Sequence, residues 1–150
     1  MKIYIAGPFS QENERKSLKH MIELVKLANP NAEFYIPMEF KVEGDFQKPD
    51  GTWNLPNEEW ARRVYEEDLK HLNEADIVYA QYVGHYCSSG TVWEMGYANA
   101  KGIPVVAYIP AWAYEKNMSL MVLNSFFGFL DEDGSIMKNS LAYLSQFNQK

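Results

Sequence analysis

The chain has 150 residues, 47% of them hydrophobic and 15% aromatic, enough to bury the core of one domain and too apolar for a disordered chain. Its 20 acidic against 14 basic residues leave a formal net charge of −6, and the one basic pair, Arg62-Arg63, is flanked by Glu58, Glu59, Glu66 and Glu67. With no Lys/Arg-rich block and no apolar run near the length of a membrane span, neither nucleic acid nor a membrane is an expected partner.

The opening stretch "MKIYIAGPFS" has a single Lys and a short apolar run stopped by Gly7-Pro8. It is too short for a signal peptide and reads as a buried strand over 2–6. Ser10 is placed to cap a helix in which Leu18, Met21, Ile22 and Val25 follow the i, i+3, i+4, i+7 spacing, ended by Asn29-Pro30. "EFYIP" (33–37) predicts a second strand. Residues 41–56 are polar, with two Gly and two Pro, and carry Phe46, Trp53 and Leu55; this is either a surface excursion or a lid.

Asn57 is placed to cap a helix through about 73. "DIVYAQYV" (76–83) predicts a strand buried on both faces. Residues 89–101 predict a helix stopped by Gly102. "IPVVAYIP" (103–110) predicts a fourth strand and "FFGFL" (126–130) a short fifth apolar piece, with a segment around 117–125 between them and a final helix from about Ser135. The alternation predicts a single α/β domain over 1–150: a flavodoxin-like or Rossmann-like sandwich with a mainly parallel five-stranded sheet flanked by helices. Such sheets bind ligands beyond the C-terminal ends of their strands.

Two carboxylates stand out. On the helix 57–73 the inward stripe is Ala61, Val64, Tyr65, Leu69 and Leu72, and Asp68, midway between Val64 and Leu72, falls on it. A carboxylate facing a core needs hydrogen bonds or a charged partner, either from neighbouring backbone or from a ligand. Glu94 sits in "CSSGTVWEMGYA" (87–98), a helix apolar nearly all round. Thr91-x-x-Glu94 fits a capping box, so spacing leaves Glu94 between a cap and a catalyst. Gly90 either packs a helix closely on the sheet or lets a ligand approach backbone, and Ser88 either caps the helix or donates to ligand hydroxyls. One ionised carboxylate can attack an anomeric carbon while a second manages protons. Tyr4, Phe9, Trp60 and Trp93 are candidate walls for a flat heterocycle. Cys87 stands alone, which excludes an internal disulfide and suits a reducing cytoplasm, and His20, His71 and His85 give no metal-ligand spacing. No metal or cofactor is expected.

Three stretches resemble the nucleoside 2-deoxyribosyltransferase family. They are "KIYIAGPF", the W-A-x-x-x-Y-x-x-D-L pattern at Trp60, Ala61, Tyr65, Asp68 and Leu69, and "SGTVWEMGYANAKGIPVV" with its E-x-G-Y-A core; "FYIP" (34–37) and "SLM" (119–121) add weaker matches. The resemblance implies Glu94 as a nucleophile at C1′ of a 2-deoxyribonucleoside, Asp68 as the group handling the nucleobase proton, and Tyr4 as the residue that orients Glu94. It implies substrate contacts from Gly7, Phe9, Trp60, Ser88, Gly90, Ser119 and Met121. The partners implied are 2-deoxyribonucleosides, free purine or pyrimidine bases, and further copies of the chain in a dimer-based homo-oligomer, up to a hexamer. Ser88 stands where family members often carry Asp, and Ser119 where they often carry Asn from a neighbouring subunit. An N-glycosidase using the same glutamate and a non-catalytic nucleoside or nucleotide sensor are the competing functions.

Overall fold

Residues alternate across a strand, and in β1 (Lys2–Ala6) that sends Ile3 and Ile5 to one face and Tyr4 and Ala6 to the other. All four are buried, so β1 is an interior strand of the sheet. The computed structural model describes residues 1–40, 58–114 and 116–140. The elements after β1 are α1 (Glu12–Ala28), β2 (Glu33–Tyr35), α2 (Glu58–Glu74), β3 (Ile77–Gln81), α3 (Ser89–Ala100), β4 (Val105–Tyr108), α4 (Leu120–Ser125), β5 (Gly128–Leu130) and β6 (Ile136–Lys138). The sheet runs β2-β1-β3-β4-β5-β6, the first five strands parallel and β6 antiparallel to β5. The first five reproduce the flavodoxin-like order, whose crevice lies where the chain switches direction at β1 and β3.

The two faces are unequal. The Ile3/Ile5 face packs against Leu18, Met21, Ile22 and Val25 of α1, the stripe predicted from spacing. The Tyr4/Ala6 face packs against Leu72 of α2, Met95 and Ala98 of α3 and Leu123 of α4. Both candidate carboxylates, Asp68 and Glu94, belong to helices of this second face, and that is the face to which Tyr4 points.

In four places the structure departs from the sequence reading or decides between its alternatives. The sheet has six strands, not five: the stretch from Ser135 forms β6, not a helix. Asp131-Glu132-Asp133-Gly134 makes a tight turn in which Gly134 has φ +81° and donates to Asp131 O, and Asp131 N–H donates to Ser135 O. β6 then lies so close to β5 that a Cβ on Gly128 would meet Met137 O at 2.7 Å. The Asp-Gly pair is a hairpin signal. Secondly, α1 is capped by Gln11, not Ser10, with the Glu14 side chain accepting from Gln11 N–H at 2.9 Å. Thirdly, Glu94 does not cap α3. Ser88 does, its hydroxyl accepting from Thr91 N–H at 3.2 Å and lying 2.7 Å from Thr91 Oγ1. Fourthly, the stripe on α2 is only partly covered: Leu72 is buried, but Tyr65 is 52% exposed and Ala61 is exposed as well. The candidate lid 41–56 and the capping Asn57 lie outside the described residues.

Candidate active site

Tyr4 is fully buried in β1, yet it carries a hydroxyl that must find a partner there. It donates to Glu94 Oε1 at 2.6 Å, at the short end of the O–H···O range. Its register partner on the parallel neighbour β2 is Tyr35, whose ring centroid lies 5.4 Å away. Tyr35 repeats the arrangement one strand over, donating to Asp68 Oδ1 at 2.7 Å. Two neighbouring strands thus hold one tyrosine each, and two helices on the same face, α3 and α2, each bring a carboxylate to one of them.

Burial pushes the Glu94 carboxyl up to about 7; the Tyr4 bond opposes the rise and the nearby Asp68 adds to it. Asp68 is also raised by burial, with Tyr35 and then His71 opposing and Glu67 adding to the rise. Burial, with Glu94 and Asp68 nearby, pushes the Tyr4 phenol far above its ordinary value. Tyr35 is raised by burial and by its bond to Asp68, so both phenols stay protonated donors. At neutral pH Glu94 is then divided between its two forms, the condition in which a carboxyl can serve as base, acid or nucleophile.

A cavity of about 410 Å³ opens beside the pair, past the C-terminal ends of β1 and β2. Its floor is Glu94, Asp68, Ser88, Gly90 and Thr91, and its walls are Phe9, Trp60, Phe40, Met38 and Ile36. That is room for a ligand the size of a nucleoside between aromatic and sulfur-bearing walls. Gly7 lines the cavity too, where a Cβ would stand 2.7 Å from Leu18 Cδ1 and 3.1 Å from Gln81 Cβ; only glycine lets the turn after β1 lie this close. Arg15 holds that turn by donating to Phe9 O at 3.0 Å and Ser10 O at 2.7 Å. Gly90 is the opposite case. Among the described residues, a Cβ there would meet nothing within 4 Å, and Gly90 lines the cavity beside both carboxylates.

A second cavity of about 430 Å³ reaches Tyr4, Asp68, Gly90 and Glu94 from the other side, between Tyr65, Leu69, Ser89 and Trp93. The carboxylate pair is therefore a partition between two openings. Among the described residues, no group of three or more His, Cys, Asp or Glu side chains is arranged to hold a metal ion.

The tertiary structure gathers Tyr4, Gly7, Phe9, Trp60, Asp68, Ser88, Gly90 and Glu94 of the sequence-derived set around these cavities. Ser119 and Met121 are not among the lining residues. Ser119 caps α4, accepting from Val122 N–H at 3.4 Å, and Met121 is 83% exposed at the surface. Tyr35 was missed by sequence reasoning. The signal was present, because an apolar strand with one phenol needs a partner for that hydroxyl. Phe40 and Met38 follow β2 directly and were equally unmarked.

This arrangement coincides with a known family. The family model described as nucleoside 2-deoxyribosyltransferase matches residues 3–144. The chain belongs to the nucleoside 2-deoxyribosyltransferase family. As a member it is an enzyme of the pentosyltransferase kind. A nucleoside deoxyribosyltransferase of Lactobacillus johnsonii is 28% identical over 120 residues, 78% of this chain and 78% of that one. One of Lactobacillus leichmannii is 27% identical over 122 residues, 79% of this chain and 76% of that one. A solved 2-deoxyribosyltransferase from the psychrotolerant bacterium Bacillus psychrosaccharolyticus superposes with a TM-score of 0.67 at 27% identity, covering 87% of this chain and 86% of that one. Among the described residues of this deoxyribosyltransferase-family chain, no helix is long and apolar enough to cross a membrane.

Proposed function

We propose that the protein transfers a 2-deoxyribosyl group between nucleobases through a covalent ester on Glu94, with net retention at the anomeric carbon. Tyr4 occupies Glu94 Oε1, which leaves Oε2 to attack C1′. The C1′–N bond breaks, its electron pair goes to the departing base, and Asp68 delivers the proton that neutralises the base. In the second half the incoming base attacks C1′, the C1′–Oε2 bond breaks, and Asp68 takes the proton the base gives up. Two inversions give retention with ping-pong kinetics. The observation that carries this reading is that Glu94 and Asp68 line one cavity while each is held by its own buried tyrosine. The sugar's developing positive charge meets an adjacent carboxylate, and Phe9, Trp60 and Phe40 supply faces for the base.

Nucleosides fit better than nucleotides, because no Lys or Arg among the described residues lines the cavity. The second opening favours one competing reaction: water reaching Glu94 from that side would hydrolyse the ester. A homo-oligomer belongs to the same proposal, with Tyr65, Trp93, Leu120, Met121 and Phe127 as exposed large hydrophobics for a second copy to cover.

Product analysis tests the reading. Deoxyinosine incubated with free adenine is expected to yield deoxyadenosine and hypoxanthine, with little hypoxanthine released when adenine is withheld. Equal release with and without acceptor would make the protein a hydrolase. Trapping with nucleoside alone should add one deoxyribosyl group to the denatured protein, and Glu94→Ala should abolish it. A nucleoside sensor would instead keep its ligand binding in Glu94→Ala and show no turnover in the unsubstituted chain.

A further inference from the structure

Asp68 lies on a helix whose covering is incomplete, so helix packing alone does not fix its side chain. What does fix it comes from β2. Tyr35 is 8% exposed and donates to Asp68 Oδ1 at 2.7 Å. Its ring is held by three others. His71 stacks on it with centroids 3.9 Å apart and planes 12° from parallel, Phe40 lies 5.2 Å away and Tyr4 5.4 Å away. His71 is itself oriented, its Nε2 lying 3.1 Å from Glu67 Oε1 one helical turn back. A chain of contacts thus runs from Glu67 to His71, to Tyr35, to Asp68, and three of its four members belong to α2.

We propose that Tyr35 is a positioning residue for the base-proton step: clamped between three rings, it locks one Asp68 oxygen and leaves the other to exchange a proton with the nucleobase. Oδ2 makes no hydrogen bond among the described residues, and Asp68 borders both cavities. A carboxyl bound through one oxygen by a rigid donor keeps its second oxygen in one direction, and proton transfer depends steeply on that direction. Tyr35 does not touch the sugar-attacking carboxylate. This separates it from Tyr4, which acts on Glu94. The inference rests on the role given to Asp68 above.

Tyr35→Phe keeps the ring and its three contacts and deletes only the donor. Turnover in base exchange is expected to fall roughly 10- to 100-fold, the worth of one hydrogen bond to a charged group. The KM for nucleoside should stay within about two-fold, since no substrate contact is removed. The donor favours the ionised form of Asp68, so its loss should move the Asp68-dependent limb of the pH profile upward. The titratable groups facing Asp68 are Glu67 and His71 on its own helix, Tyr35 from β2, Tyr4 from β1 and Glu94 from α3. None of the other four changes in this variant.

The deciding measurement is a double-mutant cycle. In an Asp68→Asn background, Tyr35→Phe should have no further effect on turnover. Losses that multiply in the double variant overturn the proposal, as does an unmoved pH limb in a Tyr35→Phe protein that melts like the parent. An Asp68→Asn protein with full turnover overturns it too. Failure of the wider reading is read separately, from Glu94→Ala: transfer that survives that change removes the glutamate mechanism whatever Tyr35 does.

Discussion

Tyr4 and Glu94 meet at 2.6 Å although 90 residues separate them in the chain. The contact joins the middle of β1 to the sixth residue of α3, and it puts the phenol under the carboxylate from the sheet side. Two amides of the first turn of α3 are engaged elsewhere: Thr91 N–H bonds the Ser88 side chain and Val92 N–H bonds Ser88 O. Among the described residues the side-chain donor to Glu94 is Tyr4.

Removing that donor should be visible in the pH profile. The Tyr4 bond favours ionised Glu94, and attack needs the ionised form. In the parent protein the acidic limb of kcat/KM is expected near pH 7, following the Glu94 carboxyl. In Tyr4→Phe it should move up by about one unit, with turnover at pH 6.5 down roughly 10-fold. A limb that stays in place would mean that Glu94 is not the group being titrated.

Glu94 should also cost the fold stability, and only above its ordinary carboxyl range. Between 4.5 and about 7 the folded protein keeps a proton that the unfolded chain has lost. Stability therefore falls as pH rises through that window, and the full penalty stands above it. Glu94→Gln has no charge to bury and can still accept from Tyr4. Its gain over the parent should be small at pH 5 and larger by about 2 kcal/mol at pH 8, a difference of roughly 4–8 °C in melting temperature. Denaturation at the two pH values checks it; equal gains would mean the carboxyl is not held in its neutral form.

At Gly90, activity and stability should move in opposite directions. Among the described residues nothing clashes with a methyl group there, and alanine in a helix is favoured over glycine by about 0.5–1 kcal/mol. Gly90→Ala should therefore melt at or above the parent temperature. The same methyl enters the space beside Glu94 and Asp68, so kcat/KM is expected to fall by about 10-fold or more. An unchanged kcat/KM would show that substrate does not use that space.

Ser88 combines two jobs that two substitutions separate. Its hydroxyl caps α3 through Thr91 N–H, and the residue lines the cavity beside Glu94 and Asp68. Ser88→Ala should cost about 1 kcal/mol of stability, Ser88→Gly only a few tenths, because glycine is tolerated at this cap. Both should raise the KM for nucleoside roughly 3- to 10-fold, the worth of one neutral hydrogen bond to the sugar. A KM that tracks the loss of stability, and not the loss of the hydroxyl, would make Ser88 a cap alone.

Much of this was legible in the chain. The stripe Leu18, Met21, Ile22, Val25 predicted α1 and its buried face, because helical periodicity is a local property. The turn Gly7-Pro8, the stop at Gly102 and the apolar runs predicted the parallel strands for the same reason. Asp68 was visible as a carboxylate on an inward stripe. β6 was missed because a three-residue edge strand has too short a pattern to outweigh the helix-like residues after it. Its marker was the Asp-Gly turn, not its own sequence.

Local pattern by itself determined the elements, the inward place of Asp68 and the existence of a carboxylate in an apolar helix. It could not decide what Glu94 does, since Thr91-x-x-Glu94 satisfies a capping box as well as a catalytic helix does. The tertiary structure removed the capping reading by giving the cap to Ser88, and it set the carboxylate against Tyr4. It also paired Tyr4 with Tyr35 across two parallel strands and set Asp68 against the second phenol. Those relationships depend on strand register and on which face each helix covers, and both are fixed by long-range packing, which no spacing along the chain records.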